Sequence, residues 1–403
     1  MAGEITRTGN LKLIQELNRS IILNTIRKHE PISKSGVAKN LSISPTTVST
    51  AVSELIKAGF VKEGGSGYSS GGRKPIMLEF NPDGNFIIAV SITNTDLTIG
   101  LVNMAAEIKE KKHYSFANFY SVNVIEHLIS SLKDFISAHV EPLDYLGITI
   151  IAPGIVDSVK GTILYNSQLE LHDVDITSTV QEVFNKETLL ENDVNALALA
   201  EKEFGNYTSS NLVFVKLSDG VGAGAILNDK IFRGHNGGAG EFGHTSVDKN
   251  GMKCECGNNG CLESYVSWPT ISGRIGIALK RGRKSLLRKI GAVDNITPEL
   301  FVQGIAMEDE LCLEIANDVA SYLSTGLANI VSLYNPSLII LGGDLIYKND
   351  YLLKLIDEKI RRKGMEVLTR DLNIQASALG EDYELIGAAS VILQRIFQVN
   401  VLK

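Results

Sequence analysis

The sequence has only four cysteines, no excess of positive charge and no apolar run, in 403 residues, that approaches the roughly 18 needed for a spanning helix. Each shortage excludes something. So few thiols cannot staple a secreted disulfide scaffold. Without a long apolar run no membrane span is expected, and Met1-Ala2-Gly3-Glu4 lacks the charged and apolar pattern of a leader, so a cytoplasmic protein without a membrane partner is expected. A net charge of −7 argues against a chain that is basic throughout. The hydrophobic content of 44% is that of an ordinary globular protein, and the length suffices for two or three domains.

The charge is unevenly distributed. Residues 1–80 carry 11 Lys and Arg against 6 Asp and Glu, whereas the remainder carries 28 against 40. A small basic module on an acidic body is the pattern of a nucleic-acid-binding arm. Within it, Leu13, Leu17, Ile21 and Ile22 recur at helical spacing until Glu30-Pro31. Ser33 is placed to cap a short second helix running to about Leu41. After the turn Ser42-Ile43-Ser44, Ser44 caps a third helix with Pro45 at its first position. Its apolar stripe is Val48, Val52, Leu55 and Ile56, and the other face shows Thr46, Thr47, Ser49, Thr50 and Ser53. Small hydroxyl residues let a helix lie close in a DNA groove. A wing from Val61 to Phe80 follows, with Gly-rich runs around Arg73 and Lys74. An arginine flanked by glycine suits a narrow A·T-rich minor groove. The expected DNA contacts are therefore Ser44, Thr46, Thr47, Ser49, Thr50, Arg73 and Lys74.

Beyond residue 80, strand patterns (Phe86–Ser91, Leu97–Val102, Leu146–Ile151, Leu189–Glu191, Leu212–Leu217, Leu338–Leu341) alternate with helical ones (around Val122–His139, Ala196–Phe204, Leu311–Leu333). The fold class is α/β in two lobes, with expected boundaries at 81–190, joined by 381–403, and at 191–380. Lys280–Lys289 reads as a solvated helical face, and Cys312, among Leu311, Leu313 and Ile315, as a buried structural residue.

Two stretches carry chemistry. Glu241-Phe242-Gly243-His244 precedes Cys254-Glu255-Cys256-Gly257-Asn258-Asn259-Gly260-Cys261-Leu262-Glu263. One imidazole and three thiolates match a closed tetrahedral Zn²⁺ site, and the glycines allow the chain to wrap an ion tightly. The metal set is His244, Cys254, Cys256 and Cys261. The second stretch, Glu191-Asn192-Asp193-Val194-Asn195, puts polar groups where an apolar strand passes into a helix. Ligands gather at such ends, although an Asn-Asp pair there is more often just a cap.

Together these residues resemble the ROK family of repressors and sugar kinases, along essentially the whole chain, and the N-terminal extension resembles its repressor branch, such as the xylose repressors. The resemblance implies a winged helix-turn-helix followed by an actin-like ATPase fold of two lobes, a homodimer or dimer of dimers, and a structural role for the zinc. It also implies that Asn192, Asp193, Glu241, His244 and Glu263 hold sugar hydroxyls. Family kinases carry Asp-x-Gly-Gly-Thr after their first strand, where this chain has Ser91-Ile92-Thr93-Asn94-Thr95. A second glycine-rich loop, Ser218–Gly224, keeps its glycines but includes Asp219, and Asp193 matches the kinase general base. Asn166-Ser167-Gln168-Leu169 stands where kinases usually show Pro-Asn-Leu. The expected function is a sugar-responsive repressor of a palindromic, A·T-rich operator, with kinase activity lost; the alternative is a sugar kinase that keeps a DNA-binding arm.

Overall fold

The computed structural model describes residues 11–66, 75–115, 123–140, 144–291 and 295–397. Arg73 and Lys74, expected to touch DNA, lie outside them. The chain forms two compact units, one of residues 1–150, 176–189 and 388–403 and one of 151–175 and 190–387.

The first unit opens with α1 (Leu11–His29), β1 (Ile32–Ser33), α2 (Lys34–Leu41), α3 (Pro45–Lys57), β2 (Val61–Ser66) and β3 (Ile76–Phe80). Capping fixes the helices where the sequence places them. Ser33 Oγ accepts from Gly36 N at 3.0 Å, and Ser44 Oγ from Thr47 N at 3.1 Å. Between them, Ser42 ends α2 with φ 55°, so the turn is three residues long. Val48, Ala51, Val52 and Leu55 of α3 are buried against Ile22, Leu23 and Ile26 of α1 and Val37 of α2. Ile56, expected in that stripe, is half-buried, and the smaller Ala51 takes its place. The strands pair in the order β1-β3-β2, the sheet of a winged helix.

The same unit continues with β4 (Phe86–Ile92), β5 (Asp96–Asn103), β6 (Ile108–Ser115), α4 (Val124–His139) and β7 (Ile148–Ala152). β8 (Ile155–Asp157), β9 (Thr162–Asn166) and β10 (Leu171–Asp175) form a small sheet of the second unit, before α5 (Ile176–Phe184) and β11 (Thr188–Asn192). The five-stranded sheet has the order β11-β7-β4-β5-β6, and β4 is an apolar run buried on both faces. The chain's final helix belongs to this unit from Ala388 onward. There Phe397, 2% exposed, lies 4.0 Å beneath the Arg27 guanidinium and edge-on to Phe80, while Ser20 Oγ donates to its carbonyl at 2.9 Å. The winged module is thus anchored by residues at the far end of the sequence.

The second unit contains α6 (Asp193–Phe204), β12 (Leu212–Leu217), β13 (Val221–Leu227), β14 (Lys230–Ile231), α7 (Glu263–Val266), α8 (Trp268–Lys280), α9 (Leu287–Ile290), α10 (Pro298–Ala306) and α11 (Glu310–Tyr334). It closes with β15 (Leu338–Gly342), α12 (Asp350–Lys363), α13 (Glu366–Thr369), β16 (Asn373–Ala376) and the start of α14 (Tyr383–Phe397). Its sheet runs β14-β13-β12-β15-β16, with β12, β15 and β16 parallel. Phe214, Ile340 and Leu197 pack on one face and the α11 residues Val319, Leu323 and Leu327 on the other. Cys312 is buried, as expected.

Two local readings need correction. Lys280–Lys289 is not one helical face: α8 stops at Lys280, Gly282 turns the chain with φ 86°, and α9 begins only at Leu287. The Ser218–Gly224 segment is not one loop either. Only Ser218-Asp219-Gly220 turns, and Val221–Gly224 is strand, with Ala223 opposite Val215. Glycine is required there by packing, because a Cβ on Gly224 would stand 2.6 Å from the Val194 carbonyl and one on Gly222 2.8 Å from the Val194 side chain. These glycines let α6 approach the sheet.

Candidate ligand and metal sites

The site residues of the second unit cluster where β11, β12 and β15 end. Asn192 is the N-cap of α6: its Oδ1 accepts from Val194 N and Asn195 N at 3.0 and 3.1 Å, and its Nδ2 donates to Gly154 O at 3.1 Å. Its amide therefore holds the strand-to-helix junction. Beside it, Glu191 is buried and held by Arg233, whose Nε and Nη2 donate at 2.9 and 2.5 Å.

Asp193, buried at the first turn of α6, receives Lys216 Nζ at 3.2 Å, and the same ammonium donates to Glu384 at 2.7 Å. Burial works against the charge of Lys216, but Glu384 and Asp193 outweigh it and hold the amine well above the ordinary lysine range. Next to it, Ser218 Oγ donates to Asp344, and the Tyr383 hydroxyl reaches the other oxygen of Asp344 at 3.4 Å. Glu263 at the start of α7 accepts from Val221 N at 2.8 Å. The Glu241 carboxyl is pushed up by desolvation; His244 opposes this, and the carboxylates of Asp193 and Glu263 add to it. Asp193, Glu241 and Glu263 thus share one electrostatic neighbourhood.

Lys216, Glu384, Asp344 and Tyr383 were not found from the sequence. The available signal was Lys216 itself, a lone cation in the strand Leu-Val-Phe-Val-Lys-Leu, where burial demands carboxylate partners.

The expected metal set converges. Ligand atoms of His244, Cys254, Cys256 and Cys261 all lie within 4.8 Å of one another. Cys254 Sγ is 3.6 Å from His244 Nδ1, and the sulfurs of Cys256 and Cys261 are also 3.6 Å apart. Two isolated bridges, Ser246 with Cys261 and Lys253 with Asn259, fold the segment back on itself. Gly260, at φ 69°, passes so close to Asp248 that a Cβ would meet its carbonyl oxygen at 1.7 Å. Three sulfurs and one nitrogen at this spacing fit a tetrahedral divalent ion. The other ring nitrogen, His244 Nε2, faces Glu241 Oε2 at 3.9 Å, so one imidazole joins the metal set to the carboxylate cluster.

In the first unit, exposed Thr46, Ser49 and Thr50 of α3 remain available on its outer face. Ser44 and Thr47 bond each other, hydroxyl to hydroxyl, at 2.8 Å and serve the cap.

Comparison with known proteins agrees with both halves of this picture. The ROK family profile matches residues 87–395, and a winged helix-turn-helix DNA-binding profile matches residues 18–62. The chain belongs to the ROK family. It is 32% identical to the xylose repressor of Caldicellulosiruptor bescii over 391 residues, covering 96% of this chain and 97% of that one. The transcriptional dual regulator NagC of Escherichia coli is 28% identical, over 97% of this chain and 95% of its own. Among solved structures, a ROK family transcriptional regulator described as a homologue of the E. coli MLC protein superposes with a TM-score of 0.82 at 25% identity, covering 96% and 97% of the two chains. A ROK glucokinase from Streptomyces griseus, solved with glucose and a nucleotide analogue, gives 0.68 at 25% identity over 76% of this chain and 99% of its own. The regulator match covers 96% of this chain against 76% for the glucokinase. Among the described residues no helix is long and apolar enough to cross a membrane.

Proposed function

We propose that this ROK protein is a cytoplasmic, sugar-responsive transcriptional repressor that binds a palindromic, A·T-rich operator as a homodimer or dimer of dimers and releases it when a sugar or sugar derivative occupies the second unit. In this reading Thr46, Ser49, Thr50, Arg73 and Lys74 meet DNA, and Ser44 and Thr47 set the start of the reading helix. Asn192, Asp193, Glu241, His244 and Glu263 form the sugar site. A structural Zn²⁺ sits on His244, Cys254, Cys256 and Cys261.

One observation carries the reading: Asp193, at the position of the family's general base, is ion-paired to Lys216. Lys216 holds Oδ2 of this carboxylate and fixes it in place. Paired to an ammonium, Asp193 is a fixed acceptor suited to binding. Asn94, where kinases carry glycine, and Asp219, on the turn after β12, weaken both phosphate loops in the same direction, and an ATP-coupled assay with hexoses and pentoses is expected to give no turnover. Binding without turnover has a use only if occupancy is reported elsewhere, and the winged module is the partner that can report it.

The test is fluorescence anisotropy of the full chain on a labelled A·T-rich palindrome, with sugars titrated in. A responsive sugar should weaken operator binding by roughly 5–150-fold, and by linkage bind the operator complex more weakly by the same factor. Asp193→Ala should lose the response but keep operator affinity without sugar. A folded Asp193→Ala protein that no longer bound DNA would refute the separation of the two sites. Arg73→Ala should cost about 1–3 kcal/mol on the specific operator.

A further inference from the structure

Ser20, Asn24 and Arg27 lie in the basic N-terminal module, but none of them is on the reading helix. We propose that these three residues of α1, together with Phe397 at the end of α14, form a strap that positions α3 for DNA, and that Arg27 acts on DNA binding through this strap. The inference rests on the reading, given above, that the winged module binds an operator.

The argument begins at a helix end. The last carbonyls of a helix have no partner within it and need donors from elsewhere. For α14 these donors come from α1. Ser20 Oγ lies 3.1 Å from the carbonyl oxygen of Ile396 and 2.9 Å from that of Phe397, and Asn24 Nδ2 donates to the Phe397 carbonyl as well. The half-buried Arg27 stands with its guanidinium 4.0 Å from the centre of the Phe397 ring. A cation there meets both the π face and the negative end of the helix dipole. Phe80 of β3 meets the same ring edge-on, with centroids 6.0 Å apart. All of these residues belong to the first unit.

Spacing along α1 makes the three donors one surface. Asn24 and Arg27 follow Ser20 four and then three positions on, so they share a helix face. Ile22, Leu23 and Ile26 form the neighbouring face, buried against Val48, Ala51, Val52 and Leu55 of α3. One helix therefore caps the end of α14 on one side and backs the reading helix on the other. Packed interiors yield little, so a shift of α14 at Phe397 carries α1, and α3 with it. A reading helix held in one orientation enters the groove without first having to be ordered, and the strap contributes to DNA affinity in that way.

The experiment titrates the full-length protein onto the labelled A·T-rich palindrome at several salt concentrations. Arg27→Gln and Phe397→Leu should each weaken binding by roughly fivefold or more. The double variant should lose little beyond the larger single loss, because both changes undo one contact. In all three the slope of log affinity against log salt should stay that of the parent, whereas a lost phosphate contact lowers it by about 0.9. Losses that add across the two positions, or a lower slope in Arg27→Gln, would overturn the strap and make Arg27 a phosphate ligand. Asn24→Ala removes only a capping donor; it should weaken binding in smaller measure and serves if Phe397→Leu melts too low for titration. Hydrogen exchange of the DNA-free proteins judges the strap separately: amides of α1 and α3 should exchange faster in the folded Phe397 or Asn24 variant than in the parent, and parent-like exchange there overturns the inference. A parent that does not bind the palindrome removes the operator reading, and the exchange measurement still decides the strap.

Discussion

The second unit contains two polar clusters that were legible to very different degrees. The thiol-imidazole cluster draws all four ligands from the 18 residues between His244 and Cys261, and two isolated bridges and a close glycine fold them together. The lysine cluster draws Asp193 from α6, Lys216 from β12 and Glu384 from α14, the last two 168 positions apart in the chain. The second gathers carboxylates around an ammonium, and the first gathers ligand atoms as a metal ion would require. In the first, the spacing along the chain already fixes the geometry. In the second, only the order of strands and helices in space does so, and nothing in the local sequence of Glu384 distinguishes it from a solvated helix-start carboxylate.

The largest effect should come from the local cluster. If the cluster holds zinc as proposed, a strong chelator or Cys256→Ser should reduce bound metal from one per chain to near zero and lower the melting temperature, because ligation energy in such sites is folding energy, roughly 10–16 kcal/mol in zinc-finger peptides. Burial and the neighbouring sulfurs push the Cys261 thiol up, so an ion must displace its proton on binding, and metal occupancy should fall as pH falls. Elemental analysis and melting curves on one preparation check both halves. Metal-free protein that melts like the parent would show that the cluster is not structural.

The dispersed cluster should give the next largest effect. Lys216→Met leaves Asp193 and Glu384 without their shared cation and should destabilise the chain by about 3–5 kcal/mol, the range for one partner lost from a buried pair. Adding Glu384→Gln to Lys216→Met should recover part of that loss, because one stranded charge is removed. Urea unfolding of the parent, the single and the double variant measures both steps. A single-variant loss below about 1 kcal/mol would mean that the ammonium is not the keystone of the cluster.

What else was legible follows the same division. The three helices of the winged module, the caps at Ser33 and Ser44, and the separate strands β12 and β15 follow from local periodicity and turn chemistry, and the structure has them within a few residues of the expected bounds. The second glycine-rich loop was misread because glycine has two uses. The same Gly222 and Gly224 that would bring backbone to a phosphate instead admit α6 to the sheet, and only the position of Val194 decides between the two. Phe397 was equally silent. It is an apolar residue near the end of an apolar helix, and its neighbours Arg27 and Phe80 lie more than 300 residues earlier.

The smallest effect expected is on α3, where a legible cap and a chemically inferred DNA face lie side by side. Ser44 Oγ accepts the Thr47 amide, so Ser44→Ala leaves a helix-start N–H unpaired and should cost about 1 kcal/mol of stability. Thr50 is exposed, and Thr50→Ala should change stability by no more than about 0.5 kcal/mol. On the operator the order should reverse. A well-populated native state absorbs the loss of a cap with little change in DNA affinity, whereas Thr50→Ala removes a hydroxyl from the face proposed to enter the groove. Thermal melting and operator titration of the two variants, measured together, therefore separate the folding role of one hydroxyl from the reading role of the other. Parent-like operator affinity in Thr46→Ala, Ser49→Ala and Thr50→Ala alike would move DNA reading away from α3 and onto the glycine-flanked wing.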